Sequence, residues 1–255
     1  MRKFVTVVLL LLILCGCTSV KNETSKGEIV IGSDQFEPFS YIDNGEMRGI
    51  DVDIAKEAFS RMGYTPVFKY IEWQKKDEYL IKGEIDCLWG GFSMNDREDL
   101  YAWVGPYLFS NQSVMVKEDS DIYSLADLKG RIVGVQATSK AEWAFEHNEE
   151  LNDLRYLYTF STIGEVFISL QRGYADAIAG HELSLRTFVK DNDDYRFLDE
   201  SILTSKLGVA FKKDYDQSFL TLLANTLDEM RSDGTIRKIV DSYRYGENLV
   251  EDGNE

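Results

Sequence analysis

Short β-branched runs alternate with amphipathic stretches along most of the chain, and this alternation restricts the fold more than any other feature. Residues 28–32 (EIVIG) read as a strand. Residues 51–62 follow as a helix with Val52, Ala55, Phe59 and Met62 on one face, Asp51 as its expected cap and Gly63 as its stop. Residues 65–70 form the next strand, 79–82 end a further helix, and 85–89 make a buried strand running into Gly90-Gly91. The rhythm restarts after Pro106-Tyr107, with strands at 113–117 and 131–136. Ser139 with Glu142, and Thr162 with Glu165, have capping-box spacing and mark two helix starts. Residues 175–179 and 207–211 add buried strands, and helices over 217–232 and 236–243 close the pattern. Strand, helix and strand in repetition imply an α/β fold with largely parallel pairing.

The N-terminus departs from this pattern. Arg2 and Lys3 precede an apolar run over 4–14, too short for a membrane span of about 20 residues but suited to a signal-peptide core. The segment Leu14-Cys15-Gly16-Cys17 resembles a bacterial lipoprotein signal, with Cys17 as the lipidated residue after cleavage of 1–16. A plain secretory signal is the simpler alternative. The polar stretch 17–27 would serve as a tether, spanning roughly 17 Å as a random coil. Cys87 is left as a single thiol, expected to be a small buried apolar residue.

Charge narrows the partners. The formal net charge is −16, and loss of Arg2 and Lys3 with the signal would make it −18. Basic residues nowhere cluster without acids beside them, so a nucleic-acid partner is excluded, because phosphate backbones bind clustered Lys and Arg. The chain lacks phosphate-cradling GxxxxGK[ST] and HExxH motifs, and its two histidines, His147 and His181, are far apart in sequence. No cofactor and no metal are expected.

Read in order, several motifs resemble the extracytoplasmic solute-binding proteins of amino-acid ABC importers, family 3. They are Gly32-Ser33-Asp34 with Pro38-Phe39, residues 49–54 (GIDVDI), 82–86 (KGEID), Gly91-Phe92-Ser93 with Arg97, and Gly105-Pro106-Tyr107. Residues 127–130 (DLKG), 133–136 (VGVQ), 173–177 (GYADA) and 233–235 (DGT) complete the set. The resemblance implies a two-lobed, type II periplasmic-binding fold. Each lobe would be a mixed, mostly parallel sheet flanked by helices, with the ligand in the cleft between them. Lobe 1 would comprise 28–113 and a return segment 208–246, lobe 2 would comprise 114–207, and 247–255 would be an acidic tail. The partners implied are a small amino acid or similar zwitterion, an ABC permease with its ATPase, and the membrane through the lipid anchor, with the protein a monomer outside the cytoplasm. A sensing module, or a cleft enzyme of the dehydratase or lytic-transglycosylase kind, is the alternative; no enzyme activity is expected.

Site residues follow from what an amino acid presents. A planar guanidinium grips a carboxylate bidentately, which singles out Arg97, although an ordinary surface arginine beside Asp96, Glu98 and Asp99 is the plainer reading. The Ser93 hydroxyl would receive the carboxylate or the ammonium, and the Gly91 carbonyl the ammonium. Thr138 and Ser139 stand at a helix start that favours an anion, though Ser139 also suits a simple cap. Phe36 and Trp73 match the family positions that sandwich the ligand side chain, though Trp73 also suits plain core packing, and Asp34 would reach an amine or hydroxyl or else serve a structural turn. Two departures from the family pattern concern spacing and charge. Ser93 and Arg97 are four apart where five is usual, and His181 stands where the family's ammonium-binding aspartate is expected, with Glu182 next to it as the candidate replacement.

Overall fold

The computed structural model describes residues 26–190 and 192–243. The expected signal peptide, Cys17, the tether as far as residue 25 and the acidic tail lie outside the described residues. The first strand, β1 (Glu28–Ser33), leads through the hairpin β2 (Tyr41–Asp43) and β3 (Glu46–Arg48) into α1 (Ile50–Met62), then β4 (Thr65–Tyr70), α2 (Lys76–Ile81) and β5 (Cys87–Leu88). A long strand, β6 (Ala102–Lys117), precedes β7 (Ile132–Gln136), α3 (Lys140–His147), β8 (Tyr156–Phe160), α4 (Ile163–Gln171), β9 (Ala177–His181) and α5 (Glu182–Thr187). A second long strand, β10 (Tyr195–Phe211), is followed by α6 (Gln217–Ser232) and α7 (Thr235–Ser242).

Eight strands form one mixed sheet in the order β4-β1-β5-β10-β6-β9-β7-β8. Its two ends are parallel βαβ units: β1 pairs with β4 and β5, and β7 pairs with β8 and β9. Between them β6 and β10 run antiparallel, with Lys117 opposite Tyr195 at one end and Ala102 opposite Phe211 at the other. The chain thus enters the second half of the sheet along β6 and returns along β10. Both strands are far longer than the runs 113–117 and 207–211 suggest. Their middle is polar: Ser110, Gln112, Ser113 and Ser205 are buried there, and Gln112 Nε2 donates to Ser205 Oγ at 3.0 Å while Thr204 Oγ1 donates to Asn111 Oδ1 at 3.0 Å.

One core cluster, with Ile31, Phe39, Ile54, Phe59, Trp89 and Leu223 in the first half, continues into the second through Met115, Ile163, Val166 and Ile178, and another, with Val114, Val133, Val135, Phe145 and Ala179, lies within the second. Burial of each large side chain contributes about 1.5–3 kcal/mol. The α1 face reads as expected, with Val52, Ala55, Phe59 and Met62 all inside, and Cys87 is buried too. Its cap does not. Gly49 is the N-cap, in a conformation at φ 129° where a Cβ would lie 2.2 Å from the Phe39 carbonyl oxygen. Asp51 instead turns inward to 1% exposure, where its Oδ2 accepts from the Gly91 backbone N–H at 2.6 Å and from Tyr107 Oη at 2.7 Å. Thr162 and Glu165 form the full capping box, whereas at α3 only half of one exists: Ser139 Oγ accepts from the Glu142 N–H, but the Glu142 carboxylate goes to Thr138 N–H.

Candidate functional site

Four strands, β1, β5, β7 and β9, end at one cleft, as ligand sites at the carboxyl ends of strands in open α/β sheets do. Asp34, Phe36, Trp73, Gly90, Gly91, Phe92, Ser93 and Arg97 line it from the first half, and Gln136, Thr138, Ser139, Lys140 and His181 from the second. The open volume is about 320 Å³ including its mouth. The two walls touch across it, through Arg97 and Thr138, Gln136 and Asp34, and Lys140 and Asp96.

Glycines at the end of β5 shape the first wall. Gly91 has φ 66°, and a Cβ there would meet the rings of Phe36 and Phe39 at 3.1 Å, so bare backbone passes between the aromatics and Asp51. Phe36 stacks on Phe39, centroids 5.8 Å apart, and both present their rings to His181 at 5.6 Å. Trp73 meets Phe92 edge-on at 5.0 Å. Ser93 Oγ is buried and has no hydrogen-bond partner among the described residues.

Arg97 spans the cleft. One terminal nitrogen donates to the Ser93 carbonyl at 3.2 Å, the other to the Thr138 carbonyl at 3.0 Å, and the guanidinium carbon lies 5.2 Å from the Phe92 ring centroid. It forms no ion pair among the described residues. Beside it Gln136 Nε2 donates to Asp34 Oδ2 at 2.7 Å, tying the two walls together. Burial pushes the Asp34 carboxyl up to about 6, against the Gln136 hydrogen bond that favours its ionised form. Lys140, buried at the start of α3, reaches back to pair with Asp96.

His181 closes β9. Its Nδ1 lies 3.1 Å from Ser110 Oγ, and burial, with the Arg97 charge adding to it, drives its pKa down to about 3, so the ring is neutral near pH 7. Nine of the ten sequence-derived binding residues line this cleft; Glu182 does not. Its carboxylate accepts from Arg186 Nε at 2.8 Å and from Ser113 Oγ at 2.9 Å, outside the wall. Ser139 Oγ spends itself on capping α3. Gln136, Lys140 and the neighbouring Lys76 were not singled out by sequence. Gln136 left a trace, as the polar end of an apolar strand; a lysine destined for burial is indistinguishable from a surface lysine.

Known proteins share both sequence and shape with this chain. Residues 29–247 match the family of bacterial extracellular solute-binding proteins, family 3. The arginine-binding extracellular protein ArtP of Bacillus subtilis is 28% identical over 244 residues, covering 91% of this chain and 92% of that one. A crystal structure with L-arginine bound superposes at TM-score 0.80 and 29% identity, covering 88% of this chain and 93% of the other. An ABC uptake transporter substrate-binding protein from Streptococcus pneumoniae with bound histidine gives 0.82 and 26%, covering 88% and 95%. A family match across nearly all the described residues, on a shared fold and with the cleft at the strand ends, places this chain among the family 3 bacterial extracellular solute-binding proteins.

Proposed function

We propose that the protein is the substrate-binding subunit of an ABC importer, taking a polar amino acid or related small zwitterion between two lobes and delivering it to a permease and its ATPase without changing it chemically. The lobes in this reading are 28–113 with 208–246, and 114–207, hinged where β6 and β10 cross. Cys17 carries the lipid that holds a monomeric domain outside the cytoplasm. Relatives named for arginine and structures holding arginine or histidine support the α-amino acid as the ligand class.

Arg97 carries the proposal. A half-buried guanidinium, stacked on Phe92 and answered among the described residues only by backbone carbonyls, lacks the counter-charge that a ligand carboxylate supplies. Asp34 and the Gly91 carbonyl stand nearby for the ammonium, while His181 offers a neutral ring. A thermal-shift screen of the twenty amino acids tests this: a ligand at 100 times its Kd stabilises the native state by about 2.7 kcal/mol and raises Tm accordingly. Arg97→Met should abolish the shift while leaving the unliganded Tm within a few degrees. Silence across all twenty would overturn the assignment.

A further inference from the structure

Lys76 opens α2 and is only 4% exposed, although lysine is rarely buried without a partner. Its Nζ touches three residues of the cleft wall, lying 3.1 Å from Thr138 Oγ1, 5.3 Å from the Trp73 ring centroid and 5.9 Å from that of Phe92. The carboxylate in its ion pair, Asp77, is 3.9 Å away, half exposed and already bonded by Tyr101 Oη. Arg97 converges on the same spot: it shares the Phe92 face, and it holds the Thr138 carbonyl while Lys76 holds the Thr138 hydroxyl. Two cations, Lys76 buried and Arg97 half-buried, therefore meet at one wall residue. The remaining carboxylates of the region are committed elsewhere, with Asp34 on Gln136, Asp96 on Lys140 and Glu142 on the Thr138 N–H. Burial brings Lys76 down to about 8, still protonated at pH 7.

We propose that Lys76 is a specificity-determining residue of the cleft, which with Arg97 selects an acidic amino acid and rejects side chains that end in a cation. The proposal rests on the reading of the cleft as an amino-acid site. Thr138 belongs to the second half of the sheet and Lys76 to the first, so opening the cleft breaks their bond and turns Nζ toward the ligand. A side-chain carboxylate then replaces the hydroxyl as its acceptor, with Arg97 left to the α-carboxylate. A guanidinium or ammonium laid against Trp73 would instead meet the Lys76 charge on the same ring, a like-charge juxtaposition of the kind that excludes wrong partners.

Isothermal titration of the wild-type protein with L-glutamate, L-aspartate, L-glutamine, L-arginine and L-lysine tests the selectivity directly. We expect an acidic amino acid to bind on the order of tenfold or more tighter than either cationic one. Lys76→Met should erase that ratio and Lys76→Arg, which keeps the charge, should preserve it. A wild-type preference for arginine or lysine, or an unchanged ratio in a folded Lys76→Met variant, would overturn the inference while leaving the amino-acid cleft intact. Binding of none of the five, with none of the other amino acids bound either, would overturn both.

Discussion

The buried carboxyl of Asp51 makes stability depend on pH in a direction opposite to the usual aspartate. Its Oδ2 holds the Gly91 N–H and Tyr107 Oη, but its Oδ1 is buried with no partner among the described residues, and burial pushes its pKa from 3.8 to about 7. A carboxyl whose folded pKa is raised stabilises the fold fully below pH 3.8 and loses that contribution as pH climbs to about 7. At about 1.4 kcal/mol for each tenfold change in proton affinity, the loss between pH 4 and pH 7 is about 3 kcal/mol. Asp51→Asn keeps the shape and both accepted hydrogen bonds while removing the titration. Urea unfolding of both proteins at half-unit steps of pH isolates the group, because Asp34, His181 and every other ionisable residue cancel in the difference. The wild type should lose about 3 kcal/mol relative to the variant between pH 4 and pH 7. A difference that stays flat with pH, or moves the other way, would refute the account of this carboxyl.

Gly91→Ala should destabilise the protein by about 1–3 kcal/mol and weaken ligand binding, since the new methyl meets two aromatic rings at 3.1 Å in a left-handed backbone; thermal melts and titration check both effects. Lys140→Met and Asp96→Asn each cut an ion pair that spans the cleft, so small-angle scattering should show a larger radius of gyration without ligand, and an unchanged radius in both variants would remove the pair from any role in closure. Cys17→Ser should move the protein from the detergent phase to the aqueous phase in a Triton X-114 partition of expressing cells.

Hydrophobic periodicity made the parallel units and their helices readable, because β1, β7, β9 and α1 bury regular apolar faces. The crossing strands were readable only at their apolar ends. Around Asn111, Gln112, Thr204 and Ser205 the strands pair polar side chains with each other, and this leaves no alternating pattern to detect. Asp51 sits where caps are found, yet the backbone of Gly49 takes that place and frees the side chain to point inward. The strand-end turns brought Asp34, Gly91, Ser93 and Arg97 together as expected. Adjacency misled at Glu182: as the first residue of α5 it faces Arg186 one turn on, away from its neighbour His181.

The return of the chain along β10 also sets the order in which the molecule can be completed. Helix α1 is covered by α6 and α7; Arg61 pairs with Asp233 at 2.7 Å and bonds Thr235, and Tyr243 Oη donates to Asp53 and accepts from the Gly49 N–H. These contacts join residues 172 to 194 positions apart, so the first half closes only when nearly the last described residue is in place. Until then Phe59 lacks the Phe219 ring that stacks on it, centroids 6.2 Å apart. A chain built this way stays unfinished until its C-terminal helices have been made and packed onto α1.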